Sequence, residues 1–465
     1  MKIYNTLTGK KEPLTPINPG QIKMYTCGQT VYNDIHIGNA RFYVAFDAIR
    51  RYLEYKDYEV IYIQNFTDIE DKIIQRAADE GCATHELAEK YIQRTLEDLD
   101  SLHVRHATIH PKATGEIPEI IAMIKRLVQG GHAYHKNGSV YFNTANAQGY
   151  GKLSRKKIED LISGARVEVD TDKQNATDFV LWKPAKPGEP YWESPWGQGR
   201  PGWHIECSAM ALKYLGEEID IHGGASDLIF PHHENEIAQS EAANGKNFAR
   251  YWMHCGILTV NHKKMGKSAG NFQTLREVAQ RFPYDVIRFY LVSGHYRAPM
   301  EFTDEVIEAA KQGLNRIKNC HRNLTHAEKT AQSSTRTPIQ QEANQYIQAF
   351  ETAMEDDFNA ADAVTAIYEL VTFTNKQIPT ISKENAQYLR EKLELLCGLL
   401  GIVADTDTDT DTVTLTDEEV EALIAARTAA RIAKNFAESD RIRDELASKG
   451  IILEDTRGGV RWHRA

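Results

Sequence analysis

Before residue 70 the chain has already committed itself to a parallel sheet. Residues 22–27, Ile-Lys-Met-Tyr-Thr-Cys, alternate in polarity as a strand does. Gly28 and Asn33-Asp34 mark a turn, His36-Ile37-Gly38-Asn39 opens a helix running to about Tyr55, and Val60-Ile61-Tyr62-Ile63 is a second strand that ends in Asn65-Phe66-Thr67-Asp68. Strand, loop, helix, strand in so short a stretch is a βαβ unit. Strands joined in this way lie parallel, and such sheets bind ligands beyond the strand carboxyl ends.

The rest of the chain must be placed around that unit. At 465 residues it exceeds a single compact core, so two to four domains are expected. Residues 69–104 read as helical. From about 111 to 200 the texture changes: a helix near 116–129, a hairpin-like Val140-Tyr141-Phe142, then a Pro- and Trp-rich stretch from Trp182 to Trp196. This reads as an insertion, because sheet-like sequence resumes at Ile219-Asp220-Ile221-His222 and again from Met253 to Val260. Beyond residue 300, apolar residues recur at helical spacing near 303–325, 337–356, 360–376 and 383–400, which predicts a helix bundle. The Asp-Thr repeat at 405–412 reads as a flexible linker. In the tail, residues 427–465 carry nine Lys and Arg against six Asp and Glu, opposite in sign to the net charge of -10 of the whole chain. A phosphate-facing module is one use for that excess, and a salt-bridged helix is as common a one.

Composition narrows the functional classes. No apolar run is long enough to span a bilayer and the first residues lack an apolar signal core, so a cytoplasmic protein is expected. The six cysteines, at 27, 82, 207, 255, 320 and 397, are too dispersed for a disulfide framework, which leaves them for metal or burial.

Three polar clusters fall where strands are expected to end. His36-Ile37-Gly38-Asn39 sits at a helix start, where unpaired N–H groups and the helix dipole favour phosphate. Lys264-Met265-Gly266-Lys267-Ser268 puts two ammonium groups and a hydroxyl on a loop, suited to neutralising a triphosphate. It is not a P-loop, because Asn261 and not glycine lies five positions before Gly266. In Phe230-Pro231-His232-His233-Glu234-Asn235-Glu236, a helix beginning at Pro231 would put His232 and Glu236 on one face, half of a zinc site. Taken alone, such an H-x-x-x-E is more often a solvated polar turn.

Together these residues resemble the HIGH and KMSKS signatures of class I aminoacyl-tRNA synthetases, in the expected order. Further blocks resemble the cysteinyl-tRNA synthetase family nearly end to end: Tyr25-Thr26-Cys27-Gly28, Asn65-Phe66-Thr67-Asp68-Ile69-Glu70-Asp71-Lys72, Gly202-Trp203-His204-Ile205-Glu206-Cys207, Asp220-Ile221-His222-Gly223-Gly224, and Ala437-Glu438-Ser439-Asp440 in the tail.

The resemblance implies an α/β protein: a Rossmann-type parallel-sheet catalytic domain (1–110 and 201–300) with a connective insertion (111–200). A tRNA-binding helical bundle (301–403), an acidic linker (404–412) and a small α+β anticodon-binding domain (413–465) would follow. The implied reaction is ATP-dependent activation of L-cysteine and its transfer to the 3′ end of tRNA(Cys). The implied zinc ligands are Cys27, Cys207, His232 and Glu236. Catalysis would rest on His36, Asn39, Lys264 and Lys267, nucleotide binding on Gly38, Asp227, Lys267 and Ser268, and contact with cysteine on Thr67 and Trp203. Trp462 matches the family's anticodon-region aromatic. ATP with Mg²⁺ and one Zn²⁺ are the implied cofactors, and a monomer is expected. Two departures stand out: Asn39 where the motif's name has His, and Gly266 in place of Ser. Competing readings are a ligase joining cysteine to an amino-sugar, which would need no anticodon reader, and a non-catalytic zinc-containing RNA-binding paralogue, which would not need His36 or the lysines.

Overall fold

In the computed structural model, the expected βαβ unit forms one half of a four-stranded parallel sheet. The structure describes residues 1–155, 172–260, 263–264, 272–332, 339–404, 417–448, 451–456 and 459–464, and of these 263–264, 417–418, 448, 454–456, 459 and 463–464 by backbone alone. A short hairpin, β1 (Lys2–Asn5) and β2 (Lys10–Pro13), precedes the sheet. Then come β3 (Gln21–Thr26), α1 (Ile37–Tyr55), β4 (Glu59–Gln64), α2 (Asp71–Glu80) and α3 (Thr84–Ser101). The single helical stretch expected over 69–104 is thus two helices. They break at Gly81, whose φ of 69° is a left-handed cap conformation natural to glycine.

The insertion consists of α4 (Ile117–Gln129) and an antiparallel sheet of β5 (Ala133–Lys136), β6 (Ser139–Phe142), β7 (Phe179–Pro184) and β8 (Gly199–Pro201). The chain then returns through α5 (Trp203–Leu215), β9 (Ile219–Ala225), α6 (Glu234–Asn244) and β10 (Ala249–Cys255). In the main sheet the strand order is β10-β9-β3-β4, all parallel. β3 is followed by its partner on one side and β9 by its partner on the other, so the crevice between these two central strands is where such a sheet binds ligands. β9 is buried along almost its whole length, as a strand covered on both faces must be.

Beyond β10 lie β11 (Leu258–Val260), β12 (Lys263–Lys264), α7 (Leu275–Ala279), α8 (Tyr284–Val292) and β13 (Met300–Glu301). The apolar segment expected from Met253 to Val260 is two strands in different sheets, parted at Gly256. The four bundle helices follow: α9 (Asp304–Thr330), α10 (Gln340–Glu355), α11 (Ala360–Gln377) and α12 (Lys383–Leu399). Residues 1–404 form one compact unit and 405–465 a second. The second unit has α13 (Asp417–Ile432), α14 (Phe436–Ser448) and the hairpin β14 (Ile451–Thr456) and β15 (Gly459–Arg464), around its own core of Val420, Ile424, Ile442, Leu446 and Ile451. The Asp-Thr repeat lies outside the described residues.

α1 is buried almost all round because it lies between sheet and bundle: Phe46 and Ile49 belong to the same apolar core as Phe350 and Leu370. A buried ion pair crosses that junction. Asp47 on α1 accepts from Arg288 on α8 at 2.5 Å and from Arg51 at 2.8 Å, and Arg288 also donates to the carbonyls of Leu102 and Leu400. Burial alone would raise the Asp47 carboxyl, but Arg288 and Arg51 hold it below its ordinary range. Removing one partner strands a buried charge, so Asp47→Asn is expected to cost about 3–5 kcal/mol, read from the urea midpoint. Because the folded pKa is depressed, this contribution is present above the unfolded value of about 4 and fades as pH falls through the folded one. The variant and the unmodified chain should therefore draw together only as pH falls from about 4 through the lower folded value.

Candidate active site

Cys27 directly follows β3, and its amide donates to Gly223 of β9 at 3.2 Å, so the thiol sits at the crevice between the two central strands. Cys207 comes from the first turns of α5. His232 and Glu236 come from the entry to α6. That helix does not begin at Pro231 as expected: residues 229–233 form a wide π-type turn interrupted by extended Phe230, and regular helix starts at Glu234. The i, i+4 relation of His232 and Glu236 survives the change. All four residues are buried, and their donor atoms lie within 4.8 Å of one another. Glu236 Oε1 is 3.0 Å from both Cys27 Sγ and His232 Nε2.

The surroundings hold these donors in place. His222 Nε2 meets the other carboxylate oxygen of Glu236 at 2.9 Å, and His204 Nδ1 meets His232 Nδ1 at 2.9 Å. Outer partners of this kind orient metal ligands. Trp203 stacks on His232 with centroids 4.3 Å apart. Burial opposes charge throughout, yet Cys27 and His232 beside Cys207 bring its thiol down to about 6, and Glu236 and Cys207 push the His232 imidazole up to about 10. Burial and the neighbouring Cys207 push Cys27 up instead. Two sulfurs, one imidazole and one carboxylate, all buried and converging, suit a tetrahedral zinc ion. A second trio, Cys27, His222 and His233, also lies within 4.8 Å; His222 Nε2 is engaged by Glu236 and His233 Nδ1 by His254 at 2.8 Å, while His222 Nδ1 and His233 Nε2 have no hydrogen-bond partner. Glu234 accepts from the amides of Gly151, Leu153 and Ser154, fastening the insertion to the start of α6.

A cleft of about 210 Å³ adjoins the cluster and is lined by Cys27, His36, Asn39, Lys72, Trp203 and Asp227 among others. His36 caps α1: its Nδ1 accepts from the Asn39 amide at 3.1 Å, and Asn39 Oδ1 accepts from the His36 amide at 3.2 Å. This reciprocal cap places the hydrogen of a neutral His36 ring on Nε2. The structure therefore brings together Cys27, Cys207, His232 and Glu236, with His36, Asn39, Trp203 and Asp227 beside them.

The remaining expected residues do not line that cleft. Thr67 is buried, and its hydroxyl donates to Glu206 at 3.0 Å. Gly38 lies behind the His36 ring. Lys267 and Ser268 lie outside the described residues, and of Lys264 only the backbone is described, paired with Thr259. Trp462 donates its indole N–H to Glu421 at 2.7 Å and packs at the edge of the tail core, whereas Phe436 is 63% and Ile432 80% exposed at the α13–α14 turn. The tail's open aromatic is therefore Phe436. Cys82, expected to be buried, is half-exposed, while Cys255, Cys320 and Cys397 are buried. The partners His204, His222 and Lys72 stand inside quoted motifs with no role given by sequence. A larger hollow of about 900 Å³ lies against the other side of α6, where Lys152 and Glu241 pair with each other, away from the clustered donors.

A family model described as tRNA synthetases class I (C) catalytic domain matches residues 13–312. Others, described as DALR domain and Cysteinyl-tRNA ligase anticodon binding domain, match 349–404 and 415–462. A cysteine–tRNA ligase of Carboxydothermus hydrogenoformans is 53% identical over 466 residues, and one of Lachnoclostridium phytofermentans 51% over 475, each alignment covering all of both chains. Among solved structures, Mycobacterium tuberculosis methionyl-tRNA synthetase in complex with methionyl-adenylate matches at a TM-score of 0.59 and 16% identity, over 82% of this chain and 90% of its own. The ternary LeuRS–tRNA–LeuAMS complex of Agrobacterium radiobacter matches at 0.59 and 12%, over 96% and 95%. These two likenesses speak for the fold. Among the described residues, no helix is long and apolar enough to cross a membrane.

Proposed function

Because the chain belongs to the class I cysteine–tRNA ligase family, we propose that it joins L-cysteine to the 3′ end of tRNA(Cys) with ATP, and that Cys27, Cys207, His232 and Glu236 select the amino acid through one zinc ion. The observation that carries this reading is the convergence of four buried donors at the crevice between β3 and β9, next to the cleft that holds His36 and Asn39. Zinc held there supplies a thiophilic position that takes a thiolate far better than a serine hydroxyl.

The chain's own groups do the rest. The cysteine carboxylate attacks the α-phosphate of ATP, forming cysteinyl-adenylate and releasing pyrophosphate. His36 Nε2–H and the Asn39 side-chain Nδ2–H donate to the phosphates from the capped start of α1, where the helix dipole also favours negative charge. Lys264 and Lys267 neutralise the triphosphate, and Asp227 binds the ribose. Trp203 walls the pocket by its stack on His232. The terminal adenosine hydroxyl of the tRNA then attacks the activated carbonyl, which expels AMP.

Cysteine-dependent ATP–pyrophosphate exchange followed by charging of tRNA tests the assignment. Both activities are expected, with serine inert in the first. Exchange without charging would instead favour a small-molecule cysteine ligase, and neither activity would favour a binding module. The tail supplies a separate check. Stacking a base on an aromatic ring is worth about 1–3 kcal/mol. Phe436→Ala is therefore expected to raise KM for tRNA by roughly tenfold without altering pyrophosphate exchange, whereas Trp462→Phe keeps tRNA affinity. Equal losses in the two variants would remove Phe436 from the RNA contact.

A further inference from the structure

The segment that carries Lys264 and Lys267 is flanked by described residues on both sides, and both flanks are tied to α1. Downstream, Ile37 N–H donates to Gln273 O at 3.2 Å and Leu275 N–H to Ile35 O at 2.8 Å, joining that flank to the residues around His36. Upstream, β11 pairs with β13, and the Gly256-Ile257 turn before it is gripped by a single side chain, Arg41. Arg41 lies five residues after His36 on α1 and is 1% exposed. Its Nη1 donates to Gly256 O at 2.9 Å and Ile257 O at 2.8 Å. Its Nη2 donates to His295 O at 3.1 Å, to Tyr296 O at 3.4 Å and to Ala298 O.

This is an unusual way to keep a buried cation. A buried charge ordinarily sits against an opposite charge, but all five acceptors here are backbone carbonyls, drawn from two chain segments. The planar fork of a guanidinium can reach two such segments at once, and an ammonium cannot. Gly256 completes the fit, since a Cβ there would lie 2.5 Å from Ala298 O and 2.6 Å from Arg297 O.

We propose that Arg41 is a positioning residue for adenylate formation, fixing the upstream flank of the Lys264–Lys267 segment to the helix that carries His36 and Asn39. The inference rests on the reading of those lysines as triphosphate ligands. Arg41 touches no substrate and acts through the turn it holds. It holds the strand that leads into the lysine segment against α1, and a displacement of about 1 Å at a catalytic site can cost on the order of 100-fold in rate.

The test is ATP–pyrophosphate exchange in six proteins: the unmodified chain, Arg41→Lys, Gly256→Ala, Lys267→Ala and the two double variants with Lys267→Ala. Arg41→Lys is expected to lower kcat by tens of fold or more, with KM for cysteine within about twofold, because the metal-ligand cluster does not share its contacts. In the Lys267→Ala background the same change is expected to cost less than about threefold, since the group it positions is gone. Gly256→Ala leaves Arg41 in place but pushes on the same turn, and it should show the same loss and the same non-additivity. It carries the test should Arg41→Lys fail to fold. If both substitutions cost as much with Lys267 absent as with it present, they act as general destabilisers and the inference is overturned alone. If Lys267→Ala exchanges as fast as the unmodified chain, the reading of the lysines fails and the inference falls with it.

Discussion

Cys207→Ser is expected to purify with zinc well below one atom per chain and to lose on the order of 1,000-fold in kcat/KM for cysteine in pyrophosphate exchange. Cys207 is the thiol whose neighbours Cys27 and His232 favour the thiolate against the cost of burial, whereas burial and Cys207 push Cys27 up. A serine hydroxyl in its place is a poor metal ligand and leaves three donors around a buried dication. Discrimination between cysteine and serine should collapse together with the metal. A methyl-sized cavity difference is worth only about 1–3 kcal/mol, and these two substrates differ by less than that in shape. Metal analysis, with exchange rates for both amino acids, decides the matter. Full zinc occupancy with unchanged cysteine KM would remove Cys207 from the ligand set and with it the four-donor site.

The second large effect is expected at Asn39, and it separates two duties of one side chain. Asn39→Asp keeps a carboxyl oxygen where Oδ1 accepts the His36 amide, so the cap on α1 persists. An acidic residue in the first helical turn is also favourable to the dipole. The amide donor is lost, and a negative charge faces the triphosphate. Exchange should fall by about 10²–10³-fold in kcat while the thermal midpoint moves by no more than a few degrees. Asn39→His, which restores the residue of the motif's name, should stay active. A fall in stability as large as the fall in rate for Asn39→Asp would show that the residue serves the helix alone.

Local pattern made some of this architecture legible and left other parts hidden. The strand–helix–strand beginning could be read because alternation and helical spacing are short-range signals. The half-site His232 and Glu236 was visible for the same reason, though Pro231 misled about where the helix begins, since a proline suits a turn and a first helical turn alike. The other two donors carry no such signal. Cys27 and Cys207 are joined only by the pairing of β3 with β9 and the packing of α5, so resemblance to a family, not spacing, pointed to them. His222 and His204 were hidden for a related reason, because their partners Glu236 and His232 are set by tertiary contact. Trp462 shows the same limit: its bond to Glu421 and its packing against the tail core are tertiary contacts that an aromatic near a basic tail does not announce.

The shared core around α1 has a consequence for how this protein can be cut and recombined. Phe46, Phe350 and Leu370 belong to one packed interior, and Asp47 is bonded to Arg288 within it. A fragment ending near residue 300 would expose that interior and leave α1, with His36 and Asn39 at its head, without its packing. The last sixty residues, by contrast, close on a core of their own. Exchange of parts between relatives is therefore expected to succeed at the acidic repeat and to fail at the start of the bundle, so that the tail is a replaceable cartridge and everything before it is inherited whole.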